Sequence, residues 1–238
     1  MVRAGVVERA PPDDLRGSVR CSYEATFDGE RYDLIPDGCV DLLWRSDGSL
    51  VVYGPETAGW SFQVPEGSST VGVRFELGVF PALLGIAAHE VLNLRIPLDE
   101  ITARQIAQPT MDRLQSASSL GEQRSELVAL SRALARGGRE ISDSTLAALA
   151  LVNAPANSDT LQIARELGMS RRHVHRVCVR TLGCGPSMFR RVARVQRALR
   201  LMRSSKPKSL AQVPTRMVSP TSTRSSSGYP SPTAGGIG

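Results

Sequence analysis

The chain is poor in the residues that most enzyme chemistries need. Its 238 residues include three histidines and four cysteines, and aromatic residues make up 5%. The stretch that reads as strands, from about residue 20 to 80, has no histidine. It therefore cannot build the converging histidines of a metal-dependent barrel enzyme. No GxSxG, HExxH or phosphate-cradling glycine loop occurs either, so enzyme activity, a cofactor and a metal are not expected. Cys21, Cys39, Cys178 and Cys184 form no CxxC pair and are too sparse for a secreted scaffold, so they read as free thiols. No apolar run approaches the roughly 18 residues of a membrane-crossing helix. The N-terminus, MVRAGVVERAPPDD, also lacks the apolar centre of a signal peptide. A cytoplasmic protein with no membrane partner is expected.

Acidic residues are scarce in the C-terminal third. Residues 158–238 hold 15 Lys or Arg against two acids, net +13, while residues 1–157 hold 14 Arg against 21 acids, net −7. Such a basic end draws in a polyanion through counterion release. The basic residues do not alternate with a Trp or Phe face, which argues against a membrane surface and for nucleic acid.

What stands in that basic segment is a helix-turn-helix. Ser158 and Asp159 can cap a first helix whose Leu161, Ile163, Ala164 and Leu167 recur at helical spacing. Gly168-Met169-Ser170 supplies a turn glycine and a cap for a second helix that runs to about Thr181. In that helix Val174, Val177 and Cys178 face inward. Arg171, Arg172, His175 and Arg176 are left outside, as groove reading requires. His173 and His175 lie among these arginines, which disfavours a bound cation. Arg180, Arg190 and Arg191 lie nearby and suit phosphates.

The residues Ile163-Ala164, Leu167-Gly168, Ser170, Val174, Arg176, Gly183, Pro186, Arg194, Ala198, Leu201 and Met202 resemble the first half of an AraC/XylS-type DNA-binding domain. Arg194 matches the linker-helix arginine of that family, with a structural role. Cys178 departs from the pattern, since the family usually places Phe there, and looser packing between the two helices is expected. The resemblance implies a second helix-turn-helix that begins about where Ser209-Leu210-Ala211-Gln212-Val213 stands. From Pro214 the chain instead reads PTRMVSPTSTRSSSGYPSPTAGGIG, a composition that cannot sustain a helix or bury a core. A disordered tail over 209–238 is expected. A frameshift after about residue 213 is the expected cause, because Met-Val-Ser-Pro-Thr-Ser can be encoded so that another frame reads Gly-Phe-Ala-Asp-Gln, which resembles the family's second unit.

In the N-terminal part, Val40 to Trp44, Leu50 to Tyr53, Trp60 to Val64 and Val71 to Glu76 read as strands separated by Gly, Pro and Asp turns. After Phe80 the pattern becomes helical, from Pro81 to Leu94, Leu98 to Gln108 and Leu120 to Arg136. Pro36-Asp37-Gly38, Asp41-Leu42, Gly54-Pro55, Gly72-Val73-Arg74-Phe75, Leu83-Leu84-Gly85 and Ile96-Pro97-Leu98 resemble a domain of unknown function that precedes AraC-type DNA-binding domains. The resemblance implies a cupin-like barrel that senses a ligand or mediates dimerisation. Asp41 is tolerable among apolar neighbours if paired, with Arg74 the natural partner. Arg74 is alternatively an anchor for an anionic effector. Trp44, Tyr53, Trp60, Phe62 and Phe75 are either pocket lining or core.

The expected fold class is α+β. A β-rich cupin-like barrel occupies 1–80, a helical connector 81–140, the first helix-turn-helix with its linker helix 141–208, and the tail 209–238. A helix from Ser142 or Asp143 to Asn153 should brace the reader. The expected function is a truncated, weakened DNA-binding transcriptional regulator, with double-stranded DNA, a small-molecule effector and a homodimeric second copy as partners. The alternative is an interaction, dimerisation or small-molecule-binding module with a non-functional DNA-binding half.

Overall fold

The computed structural model describes residues 5–137, 160–166 and 168–204. The expected bracing helix and tail, and Leu167, lie outside the described residues. The architecture is α+β, with a β-rich N-terminal part and a helical C-terminal part. The described residues up to Arg200 belong to one compact unit.

The described residues form eight strands: β1 (Gly5–Arg9), β2 (Val19–Thr26), β3 (Arg31–Leu34), β4 (Asp41–Arg45), β5 (Leu50–Tyr53), β6 (Trp60–Gln63), β7 (Ser69–Phe75) and β8 (Arg95–Pro97). Six of them form an antiparallel sheet in the order β1-β2-β7-β4-β5-β8, and β3 pairs with β6 in a separate ribbon. Among the described residues the sheet has β1 and β8 as its edges. The ribbon carries a ring cluster, with Tyr32 stacked on Phe62 at 5.3 Å and Phe27 edge-on to both.

One face of the sheet is apolar because side chains alternate along each strand. Leu42, Val52, Val71, Val73 and Phe75 are at most 1% exposed. Helix α4 (Leu120–Gly137) packs on the β2, β7 and β4 part of this face, burying Leu127, Leu130, Ser131 and Leu134 at the three-and-four spacing of one helical face. Its start is fixed locally: the Ser119 hydroxyl accepts from the Glu122 N–H at 3.2 Å, and the Glu122 carboxylate accepts from the Ser118 N–H at 2.7 Å. Arg124 donates to Glu24 of β2 at 2.9 Å, which ties the helix to the sheet.

The helical expectation after Phe80 needs correction. Helix α1 is only Val79–Leu84, because Gly85 takes a left-handed cap that ends it. A short 3-10 turn (Ala88–Glu90) follows, and then β8 returns to the sheet. The span from Leu98 to Gln108 is also divided, into α2 (Leu98–Ile101) and α3 (Arg104–Ser116), by an extended Thr102.

The opposite face of the sheet carries polar groups. Register sets Cys21, Arg74, Asp41, Tyr53 and Arg95 side by side in one row across five strands. Arg74 donates to both Asp41 oxygens at 2.8 Å and its third nitrogen lies 3.2 Å from Asp37. Tyr23 donates to Asp41 at 3.0 Å, its ring passing over Gly72, where a Cβ would lie 2.3 Å from it. The paired role expected for Asp41 and Arg74 is present. The neighbouring Asp41 charge holds the guanidinium's pKa well up, and burial pushes the Tyr23 phenol up. Further along the row, Arg95 stacks on the Trp60 ring at 3.8 Å and pairs with Glu56.

Candidate nucleic-acid interface

The helix-turn-helix is built by local signals. Helix α5 (Thr160–Glu166) ends at a turn where the Gly168 N–H bonds the Arg165 carbonyl at 3.0 Å and the Met169 N–H bonds Ala164 at 2.7 Å. Ser170 then caps helix α6 (Arg171–Leu182), its hydroxyl accepting from the His173 N–H at 3.2 Å. Gly183, at φ 84, closes the helix in the left-handed conformation that a side chain would strain. Pro186 opens helix α7 (Pro186–Ser204) at the position where its missing N–H costs nothing.

Ala164, Val174, Val177, Cys178, Leu182 and Phe189 form a small core of their own. Cys178 is 1% exposed, so the smaller side chain at this position is enclosed despite the looser packing expected. Cys184 packs against the same core from just beyond the Gly183 cap, the usual place for an apolar contact back onto the helix. Burial pushes the Cys178 thiol up to about 11 and raises that of Cys184.

With that core turned inward, Arg171, Arg172, His175 and Arg176 of α6 are exposed. The Arg176 guanidinium donates to His173 Nδ1 at 2.9 Å, a contact that sequence reasoning missed. The His175 ring lies against Gly185, where a Cβ would meet its Nε2 at 2.8 Å. Arg180 and Arg191 are exposed and Arg190 is half-buried. No Asp or Glu occurs after Glu166, so nothing acidic in the sequence from there on offsets these cations. Arg171 and Arg172 also stand at the helix N-terminus, where the backbone dipole disfavours cations by roughly 0.3–1 kcal/mol each. An arriving phosphate turns that local repulsion into attraction.

The opposite side of this reader is docked on the N-terminal part. Phe189, 3% exposed, lies over the Pro36-Asp37-Gly38 turn, where a Cβ at Gly38 would stand 2.7 Å from its Cε2. Gln196 of α7 donates to the Pro36 carbonyl at 2.7 Å. A Cβ at Gly183 would lie 2.8 Å from Leu92 and 3.2 Å from the Ala88 carbonyl. The same turn is held from behind by Asp37, which accepts from the Cys39 N–H at 2.9 Å and pairs with Arg74. Arg74, the candidate effector anchor, thus spends all three nitrogens on Asp41 and Asp37. Phe189 and Gln196 gave no sequence signal, because their partners lie far away along the chain.

A sheet domain coupled to a helix-turn-helix with an exposed cationic face defines a DNA-binding regulator. Residues 7–97 match the family model of a domain of unknown function, DUF6597, and residues 163–217 match that of a helix-turn-helix domain. The chain thus combines a DUF6597 domain with a helix-turn-helix domain. No curated protein matches it. Two crystal structures of ToxT from Vibrio cholerae strain SCE256 are similar over most of the chain. The apo form of a lysine-to-alanine variant is 12% identical, covering 86% of this chain and 84% of that one, with a TM-score of 0.35. The wild type bound to unsaturated fatty acid is 13% identical, covering 86% and 82%, with a TM-score of 0.34. At these scores neither structure bears on the ligand or interface of this chain. Among the described residues no helix is long and apolar enough to cross a membrane.

Proposed function

We propose that the chain regulates transcription from the cytoplasm by laying α6 in a DNA major groove. Arg171, Arg172, His175 and Arg176 then face bases, and Arg180, Arg190 and Arg191 hold the backbone. The observation that carries the proposal is the exposed cationic face of a helix whose other face is packed on its own core. The protein has no enzymatic role on this reading. The β-rich part, 1–80 with β8 added, senses an effector or pairs copies; 81–140 connects; 141–208 reads DNA.

One helix-turn-helix makes fewer contacts than a two-unit reader, so affinity and discrimination are reduced. The rival reading, an interaction or ligand-binding module with an idle DNA-binding half, is favoured by the single reader among the described residues. DNase footprinting on the gene's upstream region, with wild type and Arg171→Ala, decides between them. A protected site that the substitution abolishes supports the reader. Coverage without a defined site, the same for both proteins, supports the idle half.

A further inference from the structure

The two edges of the six-stranded sheet are not alike. An edge strand offers a row of unpaired N–H and C=O groups to any second strand, and folded proteins blunt such edges with proline, charged side chains (lysine above all), bulges or extreme shortness. β8 is blunted: it has three residues, one of them Pro97, and Arg95 is held on Trp60 and Glu56. β1 is blunted less: it has five residues, Gly-Val-Val-Glu-Arg, all exposed, without proline, lysine or bulge, with charge only at one end, where Arg9 lies 3.8 Å from Glu24, and it pairs with β2 in unbroken register from Gly5 to Arg9. Val6 is 38% exposed and Val7 48%.

We infer that β1 is a self-association edge, on which a second copy of this chain pairs antiparallel through its own β1. The strand suits itself as a partner. Its one glutamate and one arginine cancel, and an antiparallel pair centred on Val7 sets Val7 against Val7, Val6 against Glu8 and Gly5 against Arg9. No like charges face each other, and aliphatic side chains meet at the centre. A two-fold axis there makes the contact isologous, so it closes at two copies instead of growing into a filament. The purpose rests on the reading proposed above: two copies bring two helix-turn-helix units to DNA, as paired half-sites require. A five-residue seam is small, so the dimer is weak and concentration-dependent.

Sedimentation velocity of the full chain without DNA, from about 1 to about 100 μM, tests the inference within the range of weak interfaces. The wild-type protein should shift from the 25.6 kDa monomer toward twice that mass. The variant carrying Val6→Lys and Val7→Lys should stay monomeric with an unchanged circular dichroism spectrum. A wild type that remains monomeric throughout, or a folded lysine variant that dimerises like wild type, overturns the proposal. If the variant misfolds, hydrogen exchange on the wild type decides. Gly5–Arg9 amides should gain protection as concentration rises, and unchanged exchange there refutes the pairing. Because no DNA is present, a negative result leaves the DNA-reading proposal standing, and failure to bind DNA leaves this one standing.

Discussion

Substituting Gly38 by alanine strikes the contact between the sheet and the DNA reader at its tightest point. Gly38 sits at φ 76, a region that costs an alanine roughly 1–2 kcal/mol. The new Cβ would also stand 2.7 Å from Phe189 Cε2 and 3.3 Å from Leu77, well inside carbon contact distance. Phe189 is 3% exposed, and pushing it outward forfeits part of the roughly 1.5–3 kcal/mol that burying its side chain contributes. Together these give a loss of about 2–4 kcal/mol, or about 5–15 °C in Tm for a chain of this size. The assay is a double-mutant cycle by urea denaturation over Gly38→Ala, Phe189→Ala and the pair. The steric part should vanish once the ring is gone, so the pair should cost less than the sum of the singles. The reasoning fails if Gly38→Ala is as stable as wild type or if the two substitutions add.

Removing Arg74 as Arg74→Ala should cost about 3 kcal/mol in denaturant unfolding, because Asp41 and Asp37 are left facing each other without a cation; a loss under about 0.5 kcal/mol would mean that the cluster is solvated and dispensable. Arg191→Ala should weaken binding to all duplexes alike and lower the salt slope by about 1, whereas Arg171→Ala should lose about 1–3 kcal/mol on the preferred site alone. Cys178 links stability to alkaline pH. Its folded value, about 11, lies above the ordinary 9.0, so the unfolded thiol ionises first and stability falls as pH rises through that window. Cys178→Ala should flatten the fall between those values in pH-dependent urea unfolding, and an unchanged slope would remove Cys178 as its source.

The helix-turn-helix was legible because its signals are local: Ser170, Gly168, Gly183 and Pro186 act through their own backbone positions. Strands β4, β5, β6 and β7 were legible for a similar reason, being short β-favouring runs between turn residues. β1 and β2 were not. All of β1 is exposed, so it shows no apolar period; in β2 Val19, Cys21, Tyr23 and Ala25 do alternate with polar residues, but the register shifts between Val19 and Cys21 and polar Ser22 is buried, so the alternation does not map onto one buried face. β8 falls in the gap between two stretches that looked helical, Pro81 to Leu94 and Leu98 to Gln108, and its three residues are too few to show a period. The docking of Phe189 and Gln196 on the Pro36-Asp37-Gly38 turn arises only in the folded chain. The turn read simply as a turn, yet it also carries the contact between the sheet and the reader.

The most direct test of the central claim is a fluorescence titration of the purified protein against fragments of its own upstream region, at low and near-physiological salt with unrelated competitor DNA. The account predicts a preferred fragment that competitor does not displace at low salt, with affinity falling steeply as salt rises, as several released counterions require. Equal binding to every fragment, erased by competitor, would contradict it.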